Sequence, residues 1–211
     1  MSEQGTPEWF QNRLGKVTAS RVADVMAKTK SGYAASRENY MAQLICEILT
    51  GHREESFTNA AMAWGVEQEP FARAAYESKK DVLVDEVGFV PHPKIEGAGA
   101  SPDGLVGDIG LIEIKCPNTN TAIDAWIKFA EGKNPVAGKY NAQMQMQMAC
   151  TGRNWCDYII YDPRMPENAQ LFMVRVDRDD DFIAEMESEI KKFIEEMNEK
   201  ILKLNNAVRI V

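Results

Sequence analysis

No segment of the 211-residue chain approaches the roughly twenty consecutive apolar positions that a membrane-crossing helix needs, so no membrane partner is expected. The opening, Met1 to Gln11, lacks the basic stretch followed by an apolar run that marks an export signal. Zinc and dithiol spacings are missing as well. The four cysteines, Cys46, Cys116, Cys150 and Cys156, are scattered and read as reduced thiols of a cytoplasmic protein. Only two histidines occur, His52 and His92, and neither sits in a motif. Internal repeats and low-complexity linkers are absent, which points to one domain over 1–211 with enough apolar material for a continuous core. Nor is there a basic excess: the formal net charge is −8, whereas a nucleic-acid-binding surface ordinarily leaves a positive footprint.

That charge is unevenly spread. Residues 177–200 hold ten acidic and four basic side chains, and the rest of the chain carries 22 acidic against 20 basic. Arg13, Lys16, Arg21, Lys28, Lys30 and Arg37 gather near the front, where a phosphate-bearing ligand could be held. On charge alone the same stretch is a solvated helical surface.

Apolar periodicity supplies the elements. Thr18 or Ser20 can cap a short helix through Val22, Val25 and Met26. A helix over 37–50 carries Tyr40, Leu44 and Ile48 on one face and ends at Gly51, where a left-handed residue is wanted. A third helix over about 58–79 is expected to break or kink near Pro70. The period then changes to two. Residues 82–90 and 95–100 read as extended, and 111–116 as a short apolar strand approached through glycines 104, 107 and 110. Helices over 119–130 and 138–150 follow, then strands over 155–161 and 170–176, and a closing helix over 180–205. Its apolar residues, Ile183, Met186, Ile190, Phe193, Met197, Ile201 and Leu204, keep a three-four spacing. The expectation is an α/β fold with a mixed sheet flanked by helices.

Chemistry concentrates in Ser101-Pro102-Asp103-Gly104 and the Leu111-Ile112-Glu113-Ile114-Lys115 that follows it. On a strand, alternation puts Glu113 and Lys115 on one face and Ile112 and Ile114 on the other. Asp103, in a glycine-rich turn leading to that strand, can approach Glu113 and make an oxygen-lined pocket for a hard divalent ion, with the Ile114 carbonyl as a further ligand. Phosphodiester hydrolysis needs such a pocket, because an anionic phosphate repels its nucleophile until a cation neutralises it. One magnesium ion can activate water and a second the leaving 3′ oxygen, while Lys115 orients the nucleophile or offsets developing charge. Read without the Pro-Asp-Gly turn, Glu113 and Lys115 are a surface ion pair.

Landmarks beyond this core carry a family resemblance. Arg13-Leu14-Gly15 and Val17-Thr18-Ala19-Ser20, within 9–28, Ala63-Trp64-Gly65-Val66-Glu67-Gln68-Glu69, Tyr140-Asn141-Ala142-Gln143 and Tyr161-Asp162-Pro163-Arg164-Met165 occur in the order seen in the bacteriophage lambda exonuclease group. The chain resembles that group of phage recombination nucleases, within the PD-(D/E)xK superfamily. The resemblance implies the restriction-endonuclease-like fold, with a central mixed β-sheet flanked by helices. It also implies a 5′-to-3′ exonuclease on duplex DNA that releases 5′ mononucleotides and leaves a 3′ single-stranded tail.

By matching positions, Asp103, Glu113, Glu69 and Ile114 are implied metal ligands for two Mg2+ ions, with Mn2+ a possible substitute. Lys115 is the implied catalytic lysine, and Gln143 and Tyr140 line the site. Spacing adds that Tyr140, Gln143 and Gln147 share one helical face. Arg13 and Ser20 match the family's contacts to a terminal 5′ phosphate, Lys30 stands where the family has arginine, and Met62 matches an apolar wedge between terminal base pairs. A ring-shaped homotrimer around DNA, a single-strand annealing protein as partner, and a phage or prophage origin in the bacterial cytoplasm are implied as well. The alternative is a structure- or site-specific endonuclease on the same fold. A non-catalytic DNA-binding subunit is the reading from another class, and it does not account for a full set of Asp103, Glu113 and Lys115.

Overall fold

The structure, a computed structural model, describes residues 2–53 and 60–208. The first part runs through α1 (Pro7–Arg13), β1 (Val17–Thr18), α2 (Val22–Met26), β2 (Lys28–Thr29), β3 (Gly32–Tyr33) and α3 (Ala35–Thr50). The long α4 (Ala60–Lys80) then leads into β4 (Val84–Asp85), β5 (Val90–Pro91), β6 (Ala98–Ala100), β7 (Gly104–Val106) and β8 (Gly110–Lys115). Helices α5 (Thr119–Ala130) and α6 (Gly138–Thr151), strands β9 (Trp155–Tyr161) and β10 (Leu171–Asp177), and α7 (Asp180–Val208) complete it.

Among the described residues the main sheet has the order β10-β9-β8-β7-β4. Only β8 and β9 in it run parallel, so it is mixed, and a smaller sheet of order β1-β6-β5 lies beside it. Alternation along β8 sorts the core as expected. Leu111 packs with Met144 and Met148 of α6, while Ile112 and Ile114 face Ala72 and Tyr76 of α4 on the other side. The glycines that open this strand are spaced for close packing: a Cβ at Gly110 would collide with the Trp155 indole. The Gln-Met alternation of 143–148 looks two-periodic, yet it forms a helix buried on nearly all sides. Met144 and Met148 meet the sheet, and Met146 meets the cluster of α2, α3 and α7.

Several expectations are corrected. Helix α4 runs unbroken through Pro70; Val66 and Pro70 both lie exposed, so the carbonyl that proline leaves without its donor faces water. The expected start of this helix, at about 58, lies outside the described residues. Neither Thr18 nor Ser20 caps α2: a 3-10 turn over Ala19–Arg21 precedes it, and no side chain takes its first amides. Residues 82–90 are not one strand. The Val87 carbonyl accepts from Gln4 Nε2 at 2.8 Å, and the chain passes from the edge of the main sheet at β4 to the smaller sheet at β5. The strand expected from 95 begins only at Ala98, after a turn at 96–97, and Leu204, though in register with the stripe of α7, is exposed. No helix among the described residues is long and apolar enough to cross a membrane.

Helix α7 closes the first cluster. Ile183, Met186, Ile190 and Phe193 are at most 4% exposed, and Phe193 stacks on Tyr40 of α3 with centroids 5.7 Å apart. Phe193→Ala is expected to destabilise the protein by about 3–5 kcal/mol, read as a lower urea midpoint with an unchanged slope.

Candidate active site

Glu113 sits in the middle of the main sheet and its side chain is fully buried. A buried carboxylate needs donors for its lone pairs, and α6 supplies two. Gln143 Nε2 donates to Glu113 Oε1 at 2.7 Å, and Gln147 Nε2 donates to Oε2 at 2.6 Å. The two glutamines are one helical turn apart, so a single helix face grips both oxygens. Lys115, two residues along the same strand face, makes an ion pair with Glu113 Oε1. Burial acts to depress the lysine, but Glu113 and Asp103 outweigh it, and the ammonium is held above its ordinary pKa.

Asp103 reaches the same strand from its turn: its Oδ2 accepts the backbone N–H of Ile114 at 2.6 Å. Ile114 therefore contributes its amide here, and a ligand role for its carbonyl remains an expectation. Glu69, on α4, accepts from Arg73 Nη2 at 3.0 Å. Desolvation is the largest cause of the raised pKa at both Asp103 and Glu69, and repulsion from Glu113 adds to it. Three carboxylates are thus brought within electrostatic reach with one lysine and one arginine among them. Asp103 Oδ1 and Glu69 Oε2 take no hydrogen bond from any described residue. That is the donor chemistry a hard divalent ion requires: oxygen ligands, like charges, and lone pairs to spare. The side chains do not form a closed cage, for no three Asp, Glu, His or Cys groups among the described residues converge on one point. Cys116 is no competitor, since burial pushes its thiol up to about 12.

Tyr140 lies beside the site, its ring 5.2 Å from Lys115 Nζ and 4.8 Å from Lys139 Nζ. Arg13 and Ser20 share a second cavity of about 130 Å³, into which Lys16, Arg21 and Arg53 also face. Arg13 stacks on Trp9 at 4.1 Å and donates from Nη1 to Ser101 Oγ at 3.1 Å. Its pKa is lowered to about 10, first by burial and then by Arg53. Glu47 is the one acid in this lining among the described residues, and cations that outnumber the acids beside them favour an anion.

Lys30 does not line this cavity. It lies exposed in the β2–β3 turn, and that hairpin is tied through Lys28 and Tyr33 to Glu189 of α7. Arg53 is the cation that sequence reasoning missed; nothing local marks it, since it follows Gly51 in irregular chain. Arg73 was also missed, although its spacing four residues after Glu69 was a usable signal. Met62 is 50% exposed rather than core, and with Val66 it continues the stripe of α4 that leads to Glu69 and Arg73.

Residues 8–154 match the model of the YqaJ-like viral recombinase domain. The chain is similar to LHK-Exo, an alkaline exonuclease from Laribacter hongkongensis, at 54% identity over 98% of this chain and 100% of that one, with a TM-score of 0.88. The structure of LHK-Exo in complex with dAMP matches equally. A phage-related exonuclease from Haemophilus somnus 129PT matches over 90% of this chain and 96% of its own, with a TM-score of 0.71 at 14% identity, which supports the fold alone. No curated protein matches the sequence.

The raised carboxyls make a pH prediction. A carboxyl with a raised folded pKa contributes stability at low pH that is lost as pH rises through that pKa, here for Asp103 and Glu69. A divalent ion binds the ionised forms and restores it. The melting temperature in excess magnesium over that in chelator should therefore differ little near about pH 5 and increasingly toward about pH 8, at about 2–4 °C per kcal/mol of binding. Asp103→Asn should abolish the difference.

Proposed function

The chain belongs to the YqaJ-like viral recombinase family, as its lambda-exonuclease-like motifs led us to expect, and on that basis we propose that it is an exonuclease degrading linear duplex DNA from the 5′ end. It releases 5′ mononucleotides with magnesium and leaves a 3′ single-stranded tail. The observation that carries this reading is the pairing of two sites. Asp103, Glu113, Glu69 and Lys115 are electrostatically coupled in one cluster, the charge set that cutting a phosphodiester calls for, and Arg13, Ser20 and Arg53 line a cationic cavity beside it.

The two are joined by one hydrogen bond and a short length of chain. Arg13 bonds the Ser101 hydroxyl, and Asp103 lies two residues further on. An end phosphate held at Arg13 thus sits at a fixed offset from the carboxylates, a link that supports stepwise removal from an end over cutting at internal positions.

Asp103, Glu113 and Glu69 would be the residues to hold a divalent ion, which when bound would supply the charge that makes an anionic phosphodiester open to attack by water. The chain's own groups do the rest. Gln143 and Gln147 hold the Glu113 carboxylate in one orientation. Gln143 uses its amide nitrogen for this and keeps its carbonyl oxygen for a water proton. Lys115, kept protonated beside Glu113, offsets the negative charge that builds on the phosphate during attack. Arg13 offers a planar fork to the terminal phosphate, and exposed Met62 stands on the stripe of α4 leading to Glu69, where an apolar side chain can wedge against the last base pair. Manganese suits the same oxygen ligands as magnesium.

A homotrimeric ring remains part of the proposal. It is supported by charge segregation, with an acidic α7 and a cationic cavity in one chain, and by exposed Ile123, Ile127 and Phe129 on α5. A single-strand annealing protein is the proposed recipient of the 3′ tail, in the cytoplasm of a bacterial host. Light scattering should give three times the mass of the chain, and a monomer mass would remove the ring.

The direct test is digestion of linear duplex with a 5′ phosphate on one end and a 5′ hydroxyl on the other. Mononucleotides are expected from the phosphorylated end. Lys115→Ala should lower the rate by about 10²–10³-fold, and Arg13→Ala should erase the preference between ends. Equal cutting of closed circular DNA would replace this reading with the endonuclease one.

A further inference from the structure

Arg164 follows β9, on the loop of the Tyr161-Asp162-Pro163-Arg164-Met165 motif, outside both the carboxylate cluster and the cationic cavity. Its guanidinium is clamped on one edge. Nε donates to Asp162 Oδ1 at 2.7 Å and Nη2 donates to Asp162 Oδ2 at 3.0 Å and to the Pro117 carbonyl at 3.3 Å. Asp162 is itself buried and takes a further bond from Thr119 Oγ1 at 2.6 Å. The flat face of the guanidinium lies over the Trp64 ring of α4, 4.4 Å from its centroid. The clamp uses Nε and Nη2 only. Nη1, with two N–H groups, has no acceptor among the described residues, and the side chain is 45% exposed. A latch for the loop needs none of that outward edge.

The clamp also fixes where the free edge points from. Lys115 pairs with Ile160 across the parallel strands, two residues before Asp162, and Pro117, whose carbonyl Arg164 holds, lies two residues after Lys115. Two residues of strand span about 7 Å, which is about two nucleotide rises of 3.4 Å. Trp64 belongs to α4, five residues before Glu69. The arginine thus sits at the rim of the carboxylate site, at the strand end that presents Lys115. Arg13, by contrast, is tied to the turn that presents Asp103.

We infer that Arg164, stacked on Trp64 and braced by Asp162, is a second phosphate-binding residue that holds the DNA backbone at the Lys115 rim of the site. An arginine already fixed on one edge and one face loses little rotamer freedom when a phosphate accepts from Nη1.

The inference rests on the nuclease reading, and one experiment separates the two. Binding of a fluorescent duplex to the Lys115→Ala protein in magnesium is measured across a salt series, with and without Arg164→Ala or Arg164→Gln. Loss of Arg164 is expected to weaken binding by about tenfold and to flatten the plot of log affinity against log salt by about 0.9, one phosphate contact. Glutamine keeps a bond to Asp162 without the charge, so it should show the same loss. Phenylglyoxal labelling read by mass spectrometry needs no substitution at Arg164, and duplex should protect that residue. Unchanged affinity and slope with unprotected Arg164 overturn this inference alone. A parent protein that binds no duplex at any salt overturns the nuclease reading and the inference with it.

Discussion

A fully buried carboxylate at Glu113 is the constraint on which the rest is arranged. Taking one charge out of water costs several kcal/mol, and the chain meets that with two glutamine amides and an ammonium. Both glutamines come from α6, so α6 has to be held in register with β8. It is held from both sides. Met144 and Met148 pack it on the sheet, while Ala142 and Met146 pack it on α2, α3 and α7. The helix that orients the Glu113 carboxylate is thereby the most enclosed of the described helices, which suits a group whose orientation has to stay fixed.

Around this carboxylate the structure holds two more acids in a state they do not favour. Asp103 is fastened to the strand by the Ile114 amide, and Glu69 is brought in by α4, whose inward face is pinned by the Tyr76 hydroxyl bonding buried Asp157 at 2.8 Å. Desolvation and mutual repulsion raise both acids. Local repulsion of this kind persists only when surrounding packing over-determines the positions. Here the packing is the two sheet faces, one covered by α6 and the other by α4.

The pair of residues on one face of β8 was legible because strand alternation is a covalent property of the chain, and the same holds for the glutamines one turn apart on α6. Helix limits over 119–130 and strand limits over 155–161 also followed from local pattern. What failed depended on neighbours distant in sequence. Pro70 was read as a break because its solvent-facing setting is invisible locally. Residues 82–90 were read as one strand because the competing bond from Gln4 comes from the other end of the motif order. Lys30 stands where the family has arginine, yet its hairpin is committed to Glu189. Arg53 reaches that pocket through a chain path that no spacing rule reports.

The acidic balance of the chain, which argued against DNA, looks different once each charge has a location. Glu189 of α7 is engaged by Lys28, Lys192 and Tyr33, and Glu196 by Arg37. Lysine and arginine from the front of the chain are therefore spent in binding the hairpin and α3 to the closing helix. Hydrogen bonds from Tyr33, Lys28 and Lys192 outweigh burial and hold the Glu189 carboxyl down to about 2, so it stays charged and structural. Arg13, Lys16 and Arg53 surround one cavity together with Arg21, which Asp24 engages, and Glu47 is the acid in its lining, itself engaged by the Gly15 amide and Gln43. Net charge sums these populations and conceals the division, whereas a polyanion meets only the local one within a Debye length of about 8–10 Å. A protein of negative overall charge can thus present a cationic entrance beside an anionic, cation-demanding site, and the two together suit a phosphodiester chain better than a uniformly basic surface would.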